Sequence, residues 1–200
     1  MSGAQPSSAS AAPAATSRNA TKRLLKELDA WRDEQKEESG IERLGPAGEE
    51  DLFVWEAVVN GKGVGGGYDG EISSLLPSYR LFDKLTGICL FSAGRWLVSI
   101  SIPPSYPLQP PKMRFVTSIV HPNIALDTGE ICLDLLKDAW TPTYSILQCV
   151  RAVRMLLGYP EVDSPLNVDA AVLLRDKDQL GMRRLVEFWC SDERGKYEGH

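Results

Sequence analysis

Apolar residues recur every three or four positions at Leu24, Leu25, Leu28 and Trp31 of "TKRLLKELDAWRDEQKEESG". That spacing predicts a helix with Thr21 as its N-cap and Gly40 as its stop. The opposite face carries charges of both signs and reads as a solvated surface. The pattern then changes to aromatic and β-branched residues in "DLFVWEAVVNG" (51–61), which predicts a strand. In "RWLVSISIP" (95–103), Trp96, Val98, Ile100 and Ile102 alternate with Arg95, Leu97, Ser99 and Ser101, a half-buried strand of period two. Five prolines between Pro103 and Pro111 force an extended, turning connection, and "KMRFV" (112–116) returns as a short strand. Further on, Ile146, Leu147, Val150, Val153, Leu156 and Leu157 form one face of a strong helix ended by Gly158 and Pro160. "NVDAAVLLRD" and "DQLGMRRLVEFWCSDERGK" predict two more helices. Helix, strands, loop and then helices is an α+β order.

Residues 1–20 are mostly Ala, Ser, Pro and Thr without period, and are expected to be a disordered tail. The domain is expected to span 21–194, with a short C-terminal tail at 195–200. "GKGVGGGYDG" is glycine-rich, but Lys62 is followed by Gly63, where a phosphate-binding loop needs Ser or Thr. A flexible connection between strands is the reading taken.

Composition narrows the function. A net charge of −5 argues against nucleic-acid binding, which uses a basic stripe. No run of 18 apolar residues suggests a membrane span, and the N-terminus lacks a secretion pattern. The cysteines Cys89, Cys132, Cys149 and Cys190 are far apart, and with only two histidines a zinc site is not expected. The thiols are expected to be reduced, each a small buried hydrophobe by default.

The stretch "HPNIALDTGEICLDLL" (121–136) departs from that default by placing His121, Asn123 and Cys132 in one short loop. Three readings are open. Imidazole and thiol could form a nucleophile–base pair. His121 and Asn123 could satisfy loop backbone groups. Cys132 could carry an acyl group, with the Asn123 amide donating to the oxyanion.

The surroundings decide among them. "IPPSYPLQPPKMRF" before this loop, "WTP" after it and "DSPLNVDAA" further on resemble the ubiquitin-conjugating enzymes, over about Thr21 to Glu187. The resemblance implies the fold of that family: a first helix, a four-stranded antiparallel meander, the active loop and C-terminal helices. It implies that Cys132 accepts ubiquitin as a thioester. It implies that Asn123 steadies the loop, the oxyanion or both, and that His121 and Pro122 are structural. Ser164 falls where many members carry an acidic residue that helps the acceptor lose its proton. A hydroxyl offers a hydrogen bond there but no charge, and Asp163 is adjacent. Ligase docking is implied for Lys22, Lys26, Leu108, Pro142 and Thr143, with Trp140 read as packing. Leu108 stands where many members have the bulkier Phe; the smaller Leu buries tens of Å² less on docking, a difference of ~1 kcal/mol.

A larger departure is an insertion at about 71–93 with Leu75, Leu76, Leu81, Phe82, Leu85, Ile88, Leu90 and Phe91. So much apolar material is expected to pack on the domain or on a partner, with Cys89 buried. The strand expected between "YDG" and "GRW" is interrupted by it. Within the family, "EICLDLLKDAWTPTYSILQCVRAVRMLL" with "DSPLNVDAA" is similar to the peroxisomal branch of fungi. That implies ubiquitin, a ubiquitin-activating enzyme, a RING-type ligase, a peroxisomal membrane anchor and the peroxisomal import receptor as partners or substrate. It also implies a place on the cytosolic face of the peroxisome membrane. No bound cofactor is implied, since the upstream activating enzyme consumes ATP. A general cytosolic or nuclear conjugating enzyme, a carrier of another ubiquitin-like modifier and an inactive ubiquitin-binding scaffold are the alternatives.

Overall fold

The computed structural model describes residues 12–70 and 93–199. Residues 71–92, which hold nearly all of the insertion expected at about 71–93 with Cys89 and the strand expected there, lie outside the described residues, as do residues 1–11 and His200. Helix α1 runs Ala12–Glu34. It therefore begins nine residues before Thr21, and residues 12–20 are helical rather than part of a tail. Thr21 is not a cap, for its hydroxyl donates to the Ser17 carbonyl one turn back, 3.0 Å away. Alanine propensity permits the extra turns, and tertiary burial favours them, because Ala20 is as fully buried as Leu24. Pro13 falls in the first turn, where a missing N–H breaks no helical bond. At the other end the helix stops well before Gly40, in a turn where the Gln35 N–H reaches the Trp31 carbonyl.

Strands β1 (Ile41–Pro46), β2 (Val54–Asn60), β3 (Arg95–Ser101) and β4 (Lys112–Phe115) form one antiparallel sheet in sequential order. The alternation of β3 is observed as expected, with Trp96, Val98 and Ile100 buried. Across the register these residues meet Val59, Ala57 and Trp55 of β2, and Val98 and Ile100 also meet Phe115 and Met113 of β4. This inner face forms the core with α1 and α2 (Ile146–Gly158). Each such large side chain contributes roughly 1.5–3 kcal/mol. The expected apolar face of α2 is buried in full, and Cys149 with it. Ser145 caps α2, its hydroxyl accepting from the Gln148 N–H while the Gln148 side chain accepts from the Ser145 N–H.

Helices α3 (Val168–Arg175) and α4 (Gln179–Ser191) follow, capped by Asn167 and Asp178. The last residues do not stand free as a tail. The Tyr197 N–H donates to the Arg95 carbonyl, and the Arg95 guanidinium donates to the Tyr197 and Gly199 carbonyls and lies over the Tyr197 ring.

Candidate active site

The chain leaves β4 and buries Ile119 and Val120 before turning at His121. Ile124 then pairs with Ile131 across a small loop, and both are buried. Residues 125–130 close it: the Ala125 N–H reaches the Glu130 carbonyl, the Gly129 N–H reaches the Ala125 carbonyl, and the Phe115 N–H reaches the Gly129 carbonyl. Gly129 has a positive φ of 70°, and a Cβ there would meet the Phe115 carbonyl oxygen at 1.9 Å, so only glycine lets the loop close on β4. With Ile131 fixed inward, Cys132 is partly exposed. Its N–H donates to the Asn123 carbonyl at 2.8 Å. A 3-10 turn, Asp134–Leu136, follows at once.

His121 is 1% exposed, and both ring nitrogens are engaged. Nδ1 accepts the Asn123 N–H at 3.0 Å, so the ring proton sits on Nε2, 2.9 Å from the Leu156 carbonyl. Burial pushes the imidazole down to about 4, against a smaller opposing effect of the Leu156 carbonyl. A neutral ring with both nitrogens committed to backbone is not placed to act as base for Cys132. The backbone-satisfying reading of His121 is the one the geometry supports, with the Tyr68 ring packed beside it and the Tyr68 hydroxyl on the Val120 carbonyl at 2.6 Å.

Asn123 is fully buried. Its Oδ1 accepts the Glu161 N–H at 2.8 Å, and its Nδ2 donates to the Glu161 carbonyl at 2.6 Å and the Ser164 carbonyl at 3.4 Å. The carbonyl of Pro122 accepts the N–H groups of Leu166 and Asn167 at 2.8 and 2.9 Å. Arg175 of α3 donates to the Val162 carbonyl. The loop holding Cys132 and the segment 161–167 are thus clamped together through one peptide and one amide. Ser164 joins the site through its backbone, and its residue is exposed, as is Asp163. The part of Glu161, Val162 and Arg175 was not visible in the sequence, because their backbone and long-range bonds leave no local pattern.

Among the described residues, Cys149 and Cys190 are buried, whereas Cys132 is partly exposed. Burial, with a smaller contribution from the charge of Glu27, pushes the Cys149 thiol up to about 12. Burial, followed by the charge of Glu187, does the same to Cys190. Both are core residues, as their default reading expected.

Lys22 and Lys26 are exposed on α1, Leu108 is 70% exposed in the proline-rich loop, and Pro142 and Thr143 are exposed before α2. Trp140 packs as expected: its indole N–H donates to the Pro107 carbonyl at 2.9 Å, and its ring lies between those of Tyr106 and Tyr144. These three segments are drawn together from below by the side chain of Glu27.

The family model for ubiquitin-conjugating enzymes matches residues 84–189. A Gibberella zeae protein named ubiquitin-conjugating enzyme E2 PEX4 is 63% identical over 93% of this chain and 95% of its own length. A Dictyostelium discoideum protein named ubiquitin-conjugating enzyme E2 pex4 is 37% identical over 84% of this chain and 94% of its own. Among solved structures, H. polymorpha Pex4p in complex with the soluble domain of Pex22p superposes with a TM-score of 0.71 at 30% identity, covering 89% of this chain and 99% of that one. The meander, the clamped loop with its partly exposed thiol and these matches agree, and the chain belongs to the ubiquitin-conjugating enzymes, of the peroxin type.

Proposed function

We propose that Cys132 is the thiol that carries ubiquitin. Its thiolate attacks the thioester carbonyl joining ubiquitin to the activating enzyme. The activating enzyme's sulfur leaves, and the carbon–sulfur bond to Cys132 replaces the one broken. An acceptor amine or thiol then attacks the same carbonyl, the Cys132 thiolate leaves, and the proton lost by the acceptor goes to solvent or to that thiolate. Neither transfer changes an oxidation state, and the reading includes no bound cofactor, ATP being spent upstream.

The observation that carries this reading is the placement of Cys132. It is the partly exposed thiol of a loop whose backbone is fixed by Asn123, while Cys149 and Cys190 are buried. Asn123 serves first as the clamp on 161–164. The weaker of its two donor contacts, 3.4 Å to the Ser164 carbonyl, is the one to be exchanged for a developing oxyanion. Ser164 offers the acceptor a hydroxyl and no charge. That suits a thiol acceptor, whose proton is easier to lose than that of an amine.

The acceptor in this proposal is the peroxisomal import receptor, to which ubiquitin is transferred with a RING-type ligase that docks on Lys22, Lys26, Leu108, Pro142 and Thr143. A membrane partner holds the enzyme on the cytosolic face of the peroxisome. Support comes from the PEX4 relatives and from the H. polymorpha protein solved with the soluble domain of Pex22p. No helix among the described residues is long and apolar enough to cross a membrane.

A charging assay tests the core of the proposal. The protein is incubated with activating enzyme, ATP and ubiquitin, then run with and without reductant. The expected result is a reductant-sensitive adduct of one ubiquitin, made reductant-resistant by Cys132→Ser and abolished by Cys132→Ala. An adduct that survives Cys132→Ala would move the carrier elsewhere.

A further inference from the structure

Glu27 reads, along the chain, as one of many charges on α1. In the fold its side chain is only 9% exposed, which is costly for a carboxylate unless it is paired and hydrogen-bonded. Its partners come from three separate parts of the chain. Oε1 accepts from Arg23 Nε and from the Tyr106 hydroxyl, each at 2.5 Å. Oε2 accepts the N–H of Ile146, at the N-terminus of α2, at 2.8 Å. The Arg23 guanidinium also donates to the Tyr144 carbonyl at 2.8 Å. A negative charge at a helix N-terminus is favourable in itself. The Tyr106 phenol is raised from its ordinary value by burial and then by its bond to Glu27, so it stays a donor.

Each partner lies beside a proposed docking residue. Tyr106 is two residues from Leu108. Tyr144 follows Thr143. Glu27 and Arg23 are next to Lys26 and Lys22 on α1. From this geometry we infer that Glu27 is the positioning residue of the ligase-docking edge: one largely buried carboxylate holds α1, the proline-rich loop and the 140–146 loop in the arrangement a ligase reads. It touches neither ligase nor ubiquitin and acts through the residues it holds. The inference rests on the docking reading above.

The test uses the full chain charged with ubiquitin and a RING domain chosen because it accelerates discharge of the wild type. Glu27→Gln keeps the shape but replaces an acceptor oxygen by a donor facing donors. The expected result is a rise of about tenfold or more in the RING concentration for half-maximal discharge, with the saturating rate unchanged. Discharge to hydroxylamine without the RING is expected to match wild type. Hydrogen exchange is expected to rise in peptides covering 103–110 and 140–146, but not in 121–132. Tyr106→Phe, which removes one bond and no charge, is expected to show the same split with a smaller shift. It also serves if Glu27→Gln folds poorly.

An unchanged RING response in folded Glu27→Gln would overturn the inference. So would a parallel fall of RING-driven and RING-free discharge, which marks general loss of structure. Leu108→Arg separates the two readings. If it leaves the RING response intact, the docking reading fails and takes the inference with it. If it removes the response while Glu27→Gln does not, only the role of Glu27 falls.

Discussion

His121 and Asn123 beside Cys132 are buried, and Glu27 at the docking edge has a largely buried side chain, yet these polar groups are satisfied in different ways. His121 and Asn123 are neutral and bond backbone groups of Leu156, Glu161 and Ser164. Glu27 is an ionisable group that bonds two side chains and one helix N-terminus. Backbone partners cannot swing away, so the thiol's loop is set by the course of the chain. Side-chain partners can be exchanged, so the docking edge depends on one charge and a few rotamers. The first region is therefore vulnerable to loss of an amide, the second to loss of a charge.

Asn123 is where a single substitution has the largest expected effect. Asn123→Ala leaves the Glu161 N–H and carbonyl without their side-chain partner, at a cost of about 1–3 kcal/mol for two part-buried hydrogen bonds. Slower discharge from Cys132, on the order of 10²-fold, is expected if the amide also serves the oxyanion. Thermal unfolding and single-turnover discharge measure the two effects. Hydrogen exchange should rise in 161–167 and stay unchanged in 103–110. A rise in both segments would mean that the two regions are not held independently.

His121 makes the stability of the loop depend on pH. Its folded-state value, lowered by burial to about 4, lies below its unfolded value near 6.5. Between those values the unfolded chain binds the proton that the folded ring refuses. Stability from this group is therefore complete above about 6.5 and is lost as pH falls toward 4, by roughly 3 kcal/mol. His121→Gln is expected to flatten that portion of the stability curve relative to wild type, measured by urea unfolding at pH 7, 5.5 and 4.5. Rates of charging between pH 6.5 and 8 should not follow a histidine titration, since the ring stays neutral throughout. A charging profile with an apparent value near 6.5 that His121→Gln abolishes would restore the ring to a catalytic part.

Much of this was legible along the chain, for reasons that also explain the rest. Helix α2 was plain because Ile146, Leu147, Val150, Val153, Leu156 and Leu157 repeat with helical period, and β3 because it alternates without a break. Strand β1 was hidden, for Ile41 and Leu44 are three apart, a helical spacing produced by the register shift between Ile41 and Arg43. The start of α1 was hidden because residues 12–20 have no apolar period, although Ala20 enters the core. Cys132, Asn123 and His121 stood out as a motif. Glu27, Arg175 and the 161–164 backbone did not, because their importance arises only when distant segments meet.

Leu108 gives the smallest expected effect and bears on the exposed side of the comparison. At 70% exposure it has little to lose in the free enzyme, so substitution there acts almost wholly on the bound state. Leu108→Phe adds tens of Å² of apolar contact, worth ~1 kcal/mol, or about fivefold in ligase affinity. The measurement is the RING concentration for half-maximal discharge, with the saturating rate and melting temperature expected to match wild type. The gain also depends on Glu27. If the carboxylate sets the edge, Leu108→Phe in a Glu27→Gln background should yield less than it does alone, because a larger anchor helps only when its loop is held where the partner's pocket meets it. Equal gains in both backgrounds would show that Leu108 makes its contact regardless of how the loop beneath it is fixed.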